Sequence, residues 1–431
     1  GGYWAWDPVE NAAFMPWLSA TAFLHSVMIQ ERKGMLKKWN MILLIITFFL
    51  TLFGTFITRS GIISSVHSFA QSDIGPLFLG FIAFVLIFSF GLLSYRFKDL
   101  ESEENFDSIL SRESAFIFNN LLFLGAAFTV FLGTLFPIIS EAISGEKILV
   151  GPPYFNKVNV PIGLVLIFLM GIGPLISWRK ASADSLKRNF LIPIAVGITV
   201  SVILFVFNIR SIVGLLTFGI CGFVVTTIVY EFYKGISVRM GRNENIITAL
   251  FTLISRNKRR YGGYIIHLGV VLIVIGITSS STFNTEKEMT ISKGDKAKVG
   301  KYELEFVELE TYNNDAKNGT RAVLSLNYNN NRIDTIYPEK NIYKYEGNRE
   351  INQETEVALR STFTEDLYVI LSGVNSNNNI VLRVFINPMV SWIWAGGIVV
   401  LCGAFITMWP GLRRKEVLGF EKQGGILKHG A

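Results

Sequence analysis

The sequence predicts a polytopic α-helical membrane protein with about nine transmembrane helices and one extracytoplasmic β-rich domain. Three observations lead there. Half of the 431 residues are apolar, 35 are phenylalanine and only 17% are charged, the composition of a chain solvated largely by lipid. Nine apolar runs are long enough, or nearly so, to cross about 30 Å of hydrocarbon. Between the eighth and ninth runs, residues 282–388 instead alternate polar and apolar positions in short stretches, as strands do.

The runs lie at about 13–30, 39–57, 76–94, 115–139, 160–177, 190–206, 211–233, 264–281 and 389–409. Separating the sixth from the seventh requires a tight turn at Asn208 to Arg210. With residues 1–12 outside, the inner loops hold 23 Lys and Arg, against four in the short outer loops. That asymmetry places the basic loops in the cytoplasm. It also accounts for the net charge of +7 without a nucleic-acid partner. The chain then divides into a transmembrane bundle at 1–281, a β-rich domain at 282–388, a last span at 389–409 and a cytoplasmic tail at 410–431. Gly1 is not a start methionine, so the sequence reads as the C-terminal part of a longer protein.

In chain order, the first element is Gly1-Gly2-Tyr3-Trp4-Ala5-Trp6-Asp7-Pro8-Val9-Glu10-Asn11, followed by an apolar helix from about Ala13 to Gln30. Tyr and Trp rings suit a membrane–water boundary. Packed this densely, with two glycines that let a ligand approach the backbone, they also suit a platform for a planar ligand. Asp7 and Glu10 are candidate polar groups at its edge. Pro16 is placed at the start of the first span, where proline is tolerated. His25 lies near the inner end of that span and His267 about one turn into the eighth, so the two share a similar depth. Facing imidazoles can hold a haem iron from both sides. The alternative is two unrelated packing histidines. The outer loop after Thr58 carries Arg59 and His67; a lone loop histidine is most often solvated.

Ile246, Ile247, Leu250, Phe251 and Ile254 form one apolar face before a basic cluster, which suits a short helix lying on anionic lipid. In the β-rich segment, strands are expected at Tyr302 to Val307, Arg321 to Tyr328, Glu356 to Thr362, Asp366 to Leu371 and Asn379 to Ile386, with Asn-rich turns between. The two cysteines, Cys221 and Cys402, are in separate spans and form no Cys-x-x-Cys, so thiol oxidoreductase chemistry is not indicated.

These motifs together resemble the CcmF family, the membrane subunit of the bacterial cytochrome c haem lyase. The residues at 1–11, running into Phe14-Met15-Pro16-Trp17 and Leu24-His25-Ser26, are similar to its tryptophan-rich "WWD" segment, here 1–17. Thr58-Arg59-Ser60-Gly61 with Ser65-Val66-His67-Ser68-Phe69 is a second likeness, and Tyr261-Gly262-Gly263-Tyr264 with His267-Leu268-Gly269 a third. Tyr337-Pro338-Glu339-Lys340, Asp366-Leu367-Tyr368-Val369 and Asn387-Pro388 with Trp392-Ile393-Trp394 complete the order. The aromatic segment alone is similar also to the CcmC and CcsA families, which leaves a haem-carrying membrane protein without lyase activity as the alternative.

The resemblance implies a bacterial inner-membrane protein whose aromatic segment and β domain face the periplasm. It implies two haems. A permanent bis-His haem b is held by His25 and His267 and reduces the iron of the substrate haem. Substrate haem, delivered by the chaperone CcmE, is ligated by His67 and held by Gly1, Gly2, Tyr3, Trp4, Trp6 and Asp7, with Arg59 on a propionate. Positioning is assigned to Trp4, Trp6 and Asp7. The product is a thioether to the Cys-x-x-Cys-His motif of apocytochrome c, presented by CcmH/CcmI. The sequence departs from the family in two places: the Trp before Gly1 and the first outer-face histidine both fall upstream of it.

Overall fold

The computed structural model describes residues 2–60, 74–102, 112–176, 183–315, 317–329, 331–343 and 353–410. Two compact units divide the chain at Ile228, inside one long helix. Among the described residues nine helices are long and apolar enough to cross a membrane.

The first unit contains α1 (Pro8–Lys33), α2 (Lys37–Ser60), α3 (Ile74–Tyr95), α4 (Arg112–Ser144), α5 (Pro152–Leu175), α6 (Ala183–Val206) and the first part of α7 (Ile212–Met240). Helix α1 starts five residues earlier than expected, and the cause is local. Asp7 is its N-cap and accepts from Val9 N, Pro8 opens the first turn, and Glu10 folds back to close a capping box. Pro16 therefore lies inside the helix, not at its start. At the other end Gly34 adopts φ 63°, which a C-cap glycine does without strain. Helix α5 likewise begins early, because Gly151 caps it and Pro152 takes its first position. The tight turn after α6 is present, with Asn208 at φ 67°.

Helix α1 packs between α2 and α4. A Cβ at Gly54 of α2 would lie 3.1 Å from the Ala12 carbonyl, so that residue is small where the backbones meet. Short polar bridges tie the helices: Asn11 Nδ2 to Thr134 Oγ1 at 3.1 Å, Thr47 Oγ1 to Ser19 Oγ at 2.9 Å and Asn40 Nδ2 to Gln30 Oε1 at 2.6 Å. In an apolar solvent such pairs fix register where the hydrophobic effect cannot.

The second unit contains the remainder of α7, then α8 (Ile246–Arg256), α9 (Lys258–Thr282), a β-sandwich and α10 (Ser391–Met408). Helix α8 is the short helix expected before the basic cluster: it buries Ala249 and Leu253 and exposes Ile246, Ile247 and Phe251. Helices α9 and α10 run antiparallel along a seam of glycines. A Cβ at Gly269 would lie 2.7 Å from the Gly396 carbonyl, one at Gly276 2.9 Å from the Met389 carbonyl, and one at Gly403 2.9 Å from the Gly262 carbonyl. Spacing of seven between Gly262, Gly269 and Gly276 keeps all three on one face.

The sandwich is built from β1 (Thr285–Ile291), β2 (Lys296–Val299), β3 (Tyr302–Asn313), β4 (Lys317–Tyr328), β5 (Asn331–Ile336), β6 (Glu339–Tyr343), β7 (Gln353–Glu356), β8 (Ala358–Ser361), β9 (Glu365–Val374) and β10 (Ile380–Pro388). One antiparallel sheet has the order β1-β10-β9-β8 and the other β2-β3-β4-β6-β7, with β5 also on β4. Leu304, Phe306 and Leu324 from one sheet meet Leu367, Val369 and Leu382 from the other in one buried core. The stretch expected as a single strand at Glu356 to Thr362 is broken at Val357. Its halves pair in different sheets, β7 with β6 and β8 with β9.

Candidate functional site

The N-terminal aromatic segment is a folded turn. Trp6 sits at φ 59°, a conformation that non-glycine residues rarely adopt and that surroundings must impose. Its carbonyl accepts from Asn11 Nδ2 at 3.2 Å. Its indole Nε1 donates to Asn156 Oδ1 at 2.9 Å, and its ring stacks on Phe155 with centroids 5.0 Å apart. The amides of Ala5 and Asp7 on either side both donate to Glu10 Oε2, at 2.9 and 3.0 Å. Asp7 Oδ1 accepts from Val9 N at 2.9 Å. The two carboxylates expected at a ligand edge are thus engaged with the backbone of this turn.

Trp6 is the anchored ring and Trp4 the outer one. Trp4 meets Trp6 edge-on at 5.7 Å and Phe14 at 5.6 Å, and is 38% exposed; Tyr3 is 42% exposed. Gly2 has φ 91° and no atom within 4 Å of where a Cβ would be. Arg59 lies in the last turn of α2 and is exposed. Gly1 and His67 lie outside the described residues.

From Trp4 a line of rings runs the length of α1. Phe14 stacks on Trp17 at 5.7 Å, Trp17 meets Phe123 of α4 at 6.5 Å, and Phe123 stacks on His25 at 6.0 Å. Phe116, two turns earlier on α4, stacks on the same imidazole at 5.7 Å. Asn119, between the two phenylalanines, brings its side-chain Nδ2 to 3.3 Å from His25 Nδ1. An imidazole with one nitrogen beside an amide, walled by apolar rings, has donor chemistry of the kind a haem axial ligand uses.

His267 lies in the second unit, on α9. Helix periodicity puts it about 200° around from Gly269, on a face that α10 does not occupy. One turn before it, Tyr264 accepts from Arg260 Nε at 3.0 Å, and Arg260 pairs with the buried Glu231 carboxylate of α7. That triad fixes the rotation of α9 at the end where His267 sits.

Sequence reasoning missed Phe116, Asn119, Phe123, Phe155 and Asn156. One signal was available: Asn119-Asn120 is a polar pair within an otherwise apolar run, and such residues in a span usually face a partner.

The described residues define a class: a multi-pass membrane protein with an aromatic turn before α1, a histidine at the end of a ring ladder, and a β-sandwich between two membrane-spanning helices. Comparison with known proteins is specific. Residues 1–63 match the family described as "Cytochrome C assembly protein", and residues 282–388 match "CcmF C-terminal beta-sandwich". The chain is 31% identical over 424 residues to the cytochrome c-type biogenesis protein CcmF of Haemophilus influenzae, covering 97% of this chain and 63% of that protein. It is 32% identical over 434 residues to CcmF of Pseudomonas aeruginosa, covering 98% and 64%. A solved structure, "Cytochrome c Heme Lyase CcmF", superposes with a TM-score of 0.74 at 28% identity, over 95% of this chain and 61% of that one. The chain is similar to CcmF proteins over nearly its whole length and spans somewhat less than two thirds of the length of these relatives.

Proposed function

We propose that the chain is the haem-attaching part of a cytochrome c haem lyase, receiving haem from CcmE and working with CcmH/CcmI on apocytochrome c. The observation that carries this reading is the ring ladder joining the aromatic platform to a clamped His25. In this reading the platform, Arg59, His67 and the β-sandwich face the periplasm of a bacterial inner membrane. Tyr3 and Trp4 offer exposed ring faces to substrate haem, while Trp6, through Phe155 and Asn156, holds them in place. Arg59 is suited to a propionate, and His67 to the iron of the substrate haem.

The reaction adds a cysteine S–H across each haem vinyl group. The C–S bond forms at one vinyl carbon, the hydrogen goes to the other, and nothing leaves. Little side-chain chemistry is required, so the work of the protein is orientation and exclusion of water. His25 and His267 would hold a haem b, which when bound supplies the electron that keeps the substrate iron ferrous.

The test is a spectrum of the purified protein with its histidine variants. Stoichiometric low-spin haem b is expected in the wild type. It should be absent in His25→Ala and His267→Ala, and retained in His67→Ala while cytochrome c maturation falls. Loss of haem b in His67→Ala, or its survival in His25→Ala, would overturn the assignment of two separate haem sites.

A further inference from the structure

We propose that Asn119 is a positioning residue: its side-chain amide takes the Nδ1 hydrogen of His25 and so presents Nε2, lone pair outward, as an axial ligand. The proposal rests on the reading of His25 as a haem ligand. A neutral imidazole carries one hydrogen, and the nitrogen that bears it cannot bind a metal. Coordination through Nε2 therefore requires Nδ1–H and an acceptor for it. Asn119 Nδ2 stands at 3.3 Å from Nδ1, and a half-turn of the amide about χ2 puts Oδ1 in the same place as an acceptor. Iron on Nε2 selects the oxygen. The Thr21 carbonyl, one turn earlier on α1, also hydrogen-bonds to the ring, so the imidazole has a second acceptor within reach.

Two further features show that this contact is built. Phe116 and Phe123 hold the ring plane from both sides, at interplanar angles of 27° and 12°, so rotation about χ2 of His25 is blocked. Asn120, turned so that its nitrogen faces carbonyls, donates to the Ala22 carbonyl of α1 at 2.9 Å and to the Phe116 carbonyl at 3.2 Å. That bond fixes the register of α1 on α4 three residues from His25. One helix face thus sets the ring's height, plane and tautomer. Hydrogen bonding of this kind raises the basicity of a ligating histidine, and its removal typically costs 10–100-fold in metal affinity.

The test uses the full-length purified protein, redox titration of haem b and low-temperature EPR. Asn119→Asp, a stronger acceptor of nearly the same shape, should shift the midpoint potential below wild type. Asn119→Leu, with no acceptor, should shift it above and loosen haem retention by about 10–100-fold. The low-spin g values should move in opposite directions in the two variants. A residue that merely packs would change both variants alike. Equal potentials and g values in wild type and Asn119→Asp, or shifts of one sign in both variants, would overturn the proposal. If Asn119→Leu does not accumulate, the Asp variant decides alone. His25→Ala separates the two layers. If it keeps haem b, the ligand reading fails and this proposal with it; if it loses haem b while Asn119→Asp is silent, only the role of Asn119 fails.

Discussion

Two antiparallel helix pairs, α1 with α4 and α9 with α10, are joined by opposite means. The α1–α4 seam is made of side chains that recognise one another: Asn11 with Thr134 at one end, His25 with Asn119 between two phenylalanines, and Lys33 with Glu113 at 3.9 Å at the other. The α9–α10 seam is a close approach of backbones, with Ile266, Ile273, Ile393, Val400 and Thr407 packed against its glycines. Gly262, Gly269 and Gly276 meet Gly403, Gly396 and the Met389 backbone directly. Lipid offers no hydrophobic force between helices, so both seams rely on packing and polar contacts. The first spends them on orienting rings. The second brings backbones together and leaves the remaining faces of α9, with His267, for other contacts. Each histidine therefore stands on a differently secured helix.

The largest effect should come from breaking the glycine seam. Gly269→Leu or Gly396→Leu must displace backbone atoms less than 3 Å away, which cannot swing aside as a side chain can. Overpacking of this kind should cost about 3 kcal/mol or more and separate α10 from α9. Gly263→Leu and Gly397→Leu, where no atom lies within 4 Å, should unfold near the wild-type temperature. Thermal unfolding of the purified protein distinguishes them; equal losses at all four positions would mean that the seam has no special role.

A smaller effect is expected at the aromatic turn, where recognition by side chains can be dissected. Trp6→Ala removes the stack on Phe155 and the bond to Asn156 and empties a held site, so it should cost about 3 kcal/mol. Trp4→Ala removes a ring already partly exposed, so it should cost less than half of that while weakening haem binding more than its small stability loss explains. Unfolding midpoints and haem titration read the two quantities separately. If Trp4→Ala is the more destabilising, the division between anchor and platform is reversed.

The sequence made the spans legible because lipid demands long apolar runs, and it made the α6–α7 turn legible through the Asn208 region. Position in the bundle was less visible. Asp7-Pro8-Val9-Glu10 spells a helix start, yet its carboxylates sit beside three aromatic rings and read equally as ligand groups. Asn119 and His25 are 94 residues apart, and no local pattern couples them. Strands β1 and β7 escape detection because almost every residue in them is exposed, so period-two burial leaves no trace. What the sequence hides is long-range pairing; what it shows is solvent.

The smallest effect tests the second unit by pH. The glycine seam contains no titratable group, so acid sensitivity contributed by the sandwich should come from its own carboxylates. Asp366 is buried at the start of β9, opposite Asn387 where β10 approaches α10, and its Oδ1 has no hydrogen-bond partner. Burial pushes its carboxyl above the ordinary range, against hydrogen bonds from Ser361 and Thr362 that pull it down. A raised folded-state value means that the fold holds the proton more tightly than the unfolded chain does. Asp366 therefore adds stability fully below about pH 3.9, and that contribution is lost as pH rises through its folded value. Glu356 is held below the ordinary range by Lys317, at 2.7 Å, and by Tyr343, so its contribution has the opposite sign: present above about pH 4.3 and lost as pH falls through its folded value. Asp366→Asn should then stabilise the protein at pH 7, on the order of 1 kcal/mol, and remove the part of the curve that falls with rising pH. Glu356→Gln should do the reverse in direction, by less, because that side chain is 47% exposed. Urea unfolding at pH 4 and pH 7 measures both. An Asp366→Asn protein that is weaker at pH 7 with its pH slope unchanged would show that the carboxylate is held charged, and that the junction between the sandwich and α10 depends on it.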